Sequence, residues 1–278
     1  MKFKKLTRNA ASYIILAAAC VICFFPFLWM LSSSFKQEPK LFLFPPEWIP
    51  SPVQWSNYIR VFETMPMHRY LLNSFKITLI VLVCCAFVAS MAGYAFTKLN
   101  FPGRSLLFLL PLCSMMIPNE TICIPLFKIW SALGATNTHV PLIVTNIVGS
   151  DGMFGVFLMR QFYLSIPTEL CEAAKIDGCS PFRTYLHIFL PLSGTAVATL
   201  AIHSFVHTWN DFFSPLIYLN DAKKYTVPLG LSLYADSQNV SWSILMAASV
   251  VATLPLMIGF FCAQRRFMES MTMTGMKT

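Results

Sequence analysis

The sequence predicts an all-α fold, a polytopic membrane protein with six transmembrane helices and both termini in the cytoplasm. Three properties of the chain support this prediction. Its mean hydropathy is +0.62. Only 12% of its residues are charged, whereas a soluble domain carries about 25%. Its apolar residues are grouped into long blocks instead of alternating with polar ones, and this pattern excludes a soluble globular protein.

Six apolar blocks are long enough to cross a membrane, because a helix needs about 20 residues to span about 30 Å of hydrocarbon. The predicted spans are Ala10–Leu31, Leu72–Thr97, Ser105–Phe127, Val140–Gln161, Leu190–Leu219 and Ser243–Ala263. These boundaries leave a tail at residues 1–9, a loop at residues 32–71, a core of five spans at residues 72–264 and a second tail at residues 265–278.

The first span is predicted to be uncleaved, although the preceding MKFKKLTRNA resembles the basic start of a signal peptide. The apolar block behind it is about 22 residues long, whereas a cleavable apolar region has about 7–15. No small-residue cleavage site follows this block. The next loop is rich in proline and in aromatic residues that suit the membrane interface, and its NYIRVFE stretch predicts a short surface helix.

The third and fourth spans are predicted to be irregular. Prolines should kink or interrupt the third, at Pro111, Pro118 and Pro125. The fourth contains a carboxylate near its middle, Asp151, and three glycines surround it, at Gly149, Gly152 and Gly155. These glycines are predicted to allow close helix approach or local unwinding.

Lysine and arginine predict the orientation, since cytoplasmic segments are enriched in these residues. With both termini inside, the inner segments hold twelve of the twenty basic residues. Topology therefore explains the net charge of +8 better than nucleic-acid binding does, because the basic residues lie at the ends of apolar blocks. The nine cysteines lie mostly within these blocks and predict no disulfide framework.

The connection at residues 163–190 is the longest predicted cytoplasmic segment. Its TELCEAAKID stretch favours a helix, for which Ser165 and Thr168 are candidate caps and Gly178 a natural stop. Ser180 and Pro181 open a second helical piece. Such an element is shaped to fit a groove on a cytoplasmic partner, but an ordinary solvated loop explains it about as well on physical grounds alone.

The same connection carries a motif that resembles that of the membrane subunits of binding-protein-dependent ABC importers. The fixed positions are occupied by Glu172, Ala173, Ala174 and Gly178, and Ile188-x-Leu190-Pro191 follows after nine residues. NYIRVF, FLMRQFYLSIPTEL, TWNDFFSPLIYL and AQRRF extend the resemblance over nearly the whole chain. The chain is similar to the carbohydrate-uptake branch, specifically its smaller, maltose-type permease subunit, which implies the type I importer permease fold.

The resemblance implies several partners: a homologous second permease subunit in a heterodimer, two ATPase subunits and an extracytoplasmic solute-binding protein. ATP and magnesium would bind to the ATPase subunits, so the chain itself is expected to be non-catalytic and to hold no cofactor. The motif implies a coupling helix at the ATPase interface, formed by Glu172, Ala173, Ala174, Asp177 and Gly178. The C-terminal SMTMTGMKT has methionines where the family has small residues, which puts a contact of this tail with the ATPase in doubt.

Polar residues inside the spans predict a sugar pathway, because a carboxylate at membrane depth costs at least about 2.5–3.5 kcal/mol and should face a cavity or a partner. The candidates in the fourth and fifth spans are Asn146, Ser150, Asp151, Ser204, Trp209, Asn210 and Asp211. Two alternatives stay open: a structural contact of Asp151 with the partner subunit, and a periplasmic gate or docking edge at WNDFFSPL. The pair His203 and His207 has helical spacing but no third ligand, so no metal site is predicted.

Two other functions are compatible with such a chain. An ion-coupled secondary transporter acting alone would show repeated halves, and no convincing internal repeat is present. An intramembrane enzyme would need a metal or nucleophile constellation that the sequence lacks. The favoured prediction is import of a sugar, an oligosaccharide or a sugar derivative, by alternating access in the bacterial cytoplasmic membrane.

Overall fold

The structure is a computed structural model that describes the backbone of residues 2–275 and the side chains of residues 12–262 and 264. All regular structure in the described backbone is helical. In chain order the α-helices are α1 Lys2–Ser34, α2 Ser56–Thr64, α3 Met67–Lys98, α4 Arg104–Leu107, α5 Leu109–Met115, α6 Asn119–Ala132, α7 Val140–Val148, α8 Ser150–Leu164, α9 Glu169–Ile176, α10 Pro181–Thr184, α11 Leu190–Leu192, α12 Gly194–Asn210, α13 Phe213–Tyr218, α14 Val227–Ala235 and α15 Trp242–Gly275. A π-helical turn, Tyr185–Phe189, joins α10 to α11.

The predicted six spans correspond to four long helical segments and two broken ones. The four segments within the described residues are Ser12–Ser34, Met67–Lys98, Val140–Leu164 and Trp242–Cys262, and Val140–Leu164 is interrupted only at Gly149. The broken ones are Arg104–Met115 with Asn119–Ala132, bent by 102°, and Pro181–Leu192 with Gly194–Asn210, bent by 79°. The predicted interruption of the third span is therefore confirmed, and it lies at residues 116–118.

The fifth span was predicted with wrong boundaries. A single helix over Leu190–Leu219 does not form, because the chain breaks at Ser193 and again at residues 211–212. The second break has a local cause: Asp211 Oδ1 accepts a 3.1 Å hydrogen bond from the backbone N–H of Ser214, in the first turn of α13. An aspartate in this position satisfies a free helix N-terminus and so favours a new helix over continuation of the old one.

The first and last helices are longer than their apolar blocks. Helix α1 reaches Ser34, and α15 runs on through Gly275 into the predicted C-terminal tail. Apolar blocks fix the membrane-embedded part of a helix, whereas backbone hydrogen bonding continues into polar surroundings. Residues 276–278 of the predicted tail lie outside the described residues.

Residues 1–68 and 230–254 form one compact unit. In it, the buried amide of Asn57 in α2 donates 2.9 Å hydrogen bonds to the carbonyls of Ser34 and Lys36 at the end of α1. The hydroxyls of Ser34 and Tyr58 lie 2.8 Å apart. The short helix predicted from NYIRVFE is thus confirmed as α2, and these bonds fix it to α1.

Glu38 holds the N-terminus of α15 in the same unit. Its carboxylate accepts hydrogen bonds from the hydroxyls of Ser241 and Ser243 and from the backbone N–H groups of Trp242 and Ser243, at 2.7–2.9 Å. Partial burial opposes ionisation of Glu38, but the four hydrogen bonds outweigh it and lower its pKa below the usual glutamate value. A carboxylate here also opposes the positive end of the helix dipole.

We expect Glu38→Gln to lower the free energy of unfolding by about 1 kcal/mol, as is typical when a helix cap is lost. Because the folded pKa of Glu38 is depressed, its contribution is present above the unfolded pKa and is lost as the pH falls through the folded value. Thermal unfolding of the purified complex across acidic pH should therefore show a flatter pH dependence for Glu38→Gln. The exposed Glu63→Gln is the control, and equal profiles for the two variants would contradict the role of Glu38.

Residues 69–229 and 255–275 form the second compact unit. Its core is aromatic at the end near α9, where Tyr94, Tyr163, Tyr185 and Phe189 have ring centroids 5.0–6.3 Å apart. Helices α3 and α8 cross closely at Gly93, where a Cβ would lie 2.7 Å from the Cβ of Met159. Small residues allow this kind of close approach between membrane helices.

Candidate coupling and translocation sites

The connection at residues 163–190, which we call the coupling segment, folds as a helix, a glycine turn and a second helix. Helix α9 ends in a Schellman arrangement: the N–H of Gly178 donates to the carbonyl of Lys175 at 3.1 Å, and that of Cys179 donates to Ala174 at 2.9 Å. Gly178 has φ +74°, a left-handed conformation that side chains other than glycine rarely adopt. The predicted stop is therefore confirmed, with its backbone reason.

The two candidate caps for the start of α9 are wrong. Thr168 has helical backbone angles and makes no capping bond, and the hydroxyl of Ser165 donates to the carbonyl of Phe162. The cap lies further along the segment, where Ser180 Oγ accepts a 3.3 Å bond from the N–H of Arg183. It starts α10 with Pro181 in its first turn, as predicted.

The predicted coupling residues divide into an exposed and a buried set. The exposed set consists of Glu172, Ala173, Asp177 and Gly178. Ala174 is buried, so its small side chain serves packing within this chain. Beside the exposed set lies Ile176, which exposes 86% of its surface. Ile176 thus adds exposed apolar surface to the charged residues on this side of the segment.

The coupling segment is tied to the membrane helices by specific contacts. The ammonium of Lys98, the last residue of α3, donates to the carbonyl of Ile166 at 2.5 Å. Burial raises the pKa of the Cys171 thiol, and the nearby Lys98 opposes this effect. The hydroxyls of Tyr185 and Ser90 lie 2.7 Å apart in a buried contact. Together with the aromatic core, these contacts would let the segment and α3 move as one body.

A second candidate site lies where the broken spans meet. Helix α7 ends at Val148, and Gly149 takes an extended conformation before α8 begins. The hydroxyl of Ser150 donates to Oδ1 of Asn119 at 3.3 Å, and Asn119 begins α6 after the break in the third span. The predicted unwinding near Gly149 is confirmed. The break places the end of α7 and the start of α8 close to the polar side chains of Asn119 and Ser150.

Asp151 forms the centre of this polar cluster. Its Oδ1 lies 3.4 Å from Nε2 of His207, and the two side chains are 21% and 43% exposed. His207 stacks on His203 at 6.2 Å, and His203 lies 4.5 Å from the ring of Phe154. Asp151 is in the first turn of α8 and His207 in the last turn of α12, so each suits its end of a helix dipole.

The other predicted pathway residues have varied surroundings. Asn146 and Ser204 are buried, and the Asn146 amide donates to Leu142 of its own helix at 2.7 Å. Trp209 is buried and stacks on Phe205 at 5.9 Å. The exposed Asn210 donates to Val206 at 2.8 Å, and Asp211 caps α13. The predicted pathway residues that are not buried are thus Ser150, Asp151, Asn210 and Asp211.

The cluster includes two residues absent from the predicted set, His207 and Asn119. His207 has a helical spacing from His203 that the sequence shows, but the spacing alone gives no reason to pair it with Asp151, which is on a different helix. Asn119 follows Pro118, a proline that signals a helix start. Among the described residues, no group of three or more His, Cys, Asp or Glu is placed to hold a metal ion.

Comparison with known proteins identifies the family. Residues 85–272 match the family model described as the binding-protein-dependent transport system inner membrane component. The chain belongs to this family. It is an inner-membrane permease component of a binding-protein-dependent transport system, and the matched region includes both candidate sites. Membership decides against a secondary transporter acting alone.

Two relatives and one solved structure are similar along nearly the whole permease. The arabinooligosaccharides transport system permease protein AraQ of Halalkalibacterium halodurans is 33% identical, covering 99% of each chain. The galactooligosaccharides transport system permease protein GanQ of Bacillus subtilis is 32% identical, covering 100% of this chain and 98% of its own. A bacterial ABC transporter involved in the import of the acidic polysaccharide alginate has the same fold, with a TM-score of 0.85, 19% identity and coverage of 95% and 98%.

Proposed function

We propose that this permease moves an oligosaccharide or sugar derivative into the cytoplasm by alternating access, paired with a homologous second permease subunit. The substrate class is supported by the relatives named for arabino- and galactooligosaccharide transport, which align end to end with this chain. The predicted orientation places residues 163–190 in the cytoplasm and the Phe42–Val53 loop outside.

The exposed face of α9 is the observation that carries the coupling part of the proposal. Two ATPase subunits would hydrolyse ATP with magnesium, and one would receive Ile176, Glu172 and the Gly178 turn in a cleft. Glu172 can accept charge-assisted hydrogen bonds from a basic partner, and Ile176 can bury its exposed surface there. Closure of the ATPases would then move α9 with α3 through the Lys98 and Tyr185 contacts.

The Asp151–His207 pair would line the sugar path. An ionised carboxylate accepts hydrogen bonds from sugar hydroxyls, and an imidazole can donate or accept. Without sugar the two side chains lie 3.4 Å apart, and a sugar hydroxyl can insert between them since both are accessible. Asn210 adds a carboxamide oxygen at the end of α12, the helix that carries His207.

Asp151→Asn is expected to lower sugar uptake at least about tenfold, because it removes one charge-assisted hydrogen bond. Asn210→Ala should have a smaller effect in the same direction. The measurements are uptake of labelled oligosaccharide and sugar-stimulated ATPase activity in proteoliposomes that contain the complete transporter and its solute-binding protein. The control is Asp236→Asn, an exposed aspartate outside the cluster. Unchanged uptake and ATPase activity in both cluster variants would remove these residues from the pathway.

The substrate class is tested most directly on the solute-binding protein. Calorimetric titration with a panel of arabino-, galacto- and gluco-oligosaccharides, followed by uptake of the tightest binder, should give ATP-dependent accumulation. Binding of amino acids, metal ions or inorganic anions in preference to all of these sugars would overturn the sugar proposal while leaving the coupling proposal intact.

A further inference from the structure

The loop segment Phe42–Val53 presents large apolar side chains to its surroundings. Phe44 exposes 96% of its surface, Ile49 84% and Phe42 71%. Leu43, Trp48 and Val53 are about half exposed. A soluble loop has no reason to hold so many unburied apolar side chains in twelve residues, so another apolar phase or surface should cover them.

The segment folds back along a membrane helix. The Trp48 ring packs edge-on against Phe25 and Trp29 of α1, with centroids 5.3 Å and 5.2 Å apart. The hydroxyl of Ser32 donates to the Trp48 carbonyl at 2.5 Å. Phe25 lies nine residues before the end of α1 at Ser34, which is about 13 Å along a helix. Trp48 therefore lies well below the end of the helix, beside its apolar stretch.

The segment has few backbone donors and a single acidic side chain. Prolines remove four of the backbone donors, at Pro45, Pro46, Pro50 and Pro52. Glu47 lies 3.5 Å from the ammonium of Lys40, and the same ammonium donates to the carbonyl of Ser51. Irregular backbone is excluded from the hydrocarbon region unless its hydrogen-bonding groups have partners, so the segment is suited to the interfacial layer, where headgroups and water can bond its remaining polar groups.

We propose that Phe42–Val53 inserts into the interfacial layer of the bilayer and that phospholipid covers its apolar side chains. The leaflet is the one at the Ser34 end of α1, the outer leaflet in the predicted orientation. Trp48 is an aromatic residue suited to this depth. The loop would thereby fix the depth of α1, because Trp48 contacts Phe25, Trp29 and Ser32 of that helix.

The test is photo-crosslinking of the complete transporter in native membranes. A p-benzoylphenylalanine residue replaces Phe44 in one variant and Ile49 in a second, and both positions are exposed enough to accept the probe without repacking. The control carries the same probe in place of Gln238, an exposed residue of the polar turn between α14 and α15. After irradiation, mass spectrometry of the digested permease identifies what each probe has captured.

Insertion predicts that phospholipid adducts dominate at Phe44 and Ile49 and are several-fold more abundant there than at Gln238. Capture mainly of a protein, whether the second permease subunit or the solute-binding protein, would overturn the proposal and assign the segment to a protein interface. Equal lipid capture at all three positions would also overturn it, because the segment would then have no preference for lipid beyond that of a polar turn.

Discussion

Replacing Gly178 by aspartate is expected to abolish ATP-driven uptake while the permease remains folded and membrane-inserted. A Cβ at Gly178 would meet no atom of this chain within 4 Å, although the residue has φ +74°. Aspartate tolerates left-handed angles better than most residues, so the cost within the chain is small. A complete loss of uptake would therefore arise from the added carboxylate at the ATPase interface.

Gly103→Asp is the matched control for this prediction. Gly103 has φ +77° and lies in another predicted cytoplasmic connection, and a Cβ there would also meet no atom within 4 Å. It shares the backbone strain of Gly178 but lies outside the coupling motif. Uptake, ATPase activity and retention of the ATPase during purification should fail only in Gly178→Asp. Normal uptake by that variant, or an equal loss in both variants, would contradict the coupling role.

Gly152→Ala is expected to prevent the permease from folding, although it adds a single methyl group. A Cβ at this position would overlap the carbonyl oxygen of Ile147, a backbone atom that no side-chain rotation can move. Overpacking of a core typically costs about 1–3 kcal/mol, and a clash with backbone at the break between α7 and α8 should cost more. Any relief would displace the adjacent Asp151 from His207.

The measurement for Gly152→Ala is the yield of intact complex and its thermal unfolding midpoint. Gly194→Ala provides the control: Gly194 begins α12, and a Cβ there would meet nothing within 4 Å. Alanine at that helical position should be neutral or slightly stabilising. A Gly152→Ala complex as stable as wild type would show that the break between the two helices is not fixed by glycine.

Local sequence was sufficient for features that depend on neighbouring residues. The apolar blocks located four long helical segments, Pro118 indicated the break in the third span, and Gly178 indicated the turn of the coupling segment. Each of these follows from the chemistry of a few adjacent residues. The fifth span was predicted to begin and end too late, and its end was missed because average hydropathy does not reveal that Asp211 caps a new helix.

The two candidate sites differ in how much of each could be predicted from the sequence. The motif with Glu172 and Gly178 is contiguous, so the sequence alone indicated the family and predicted the helix and the glycine turn of the coupling segment. The pairing of Asp151 with His207 and the contact of Trp48 with Phe25 join residues that are far apart along the chain. Only the tertiary structure decided them, because hydropathy and spacing report which face or depth a residue prefers, whereas packing selects the partner it meets there.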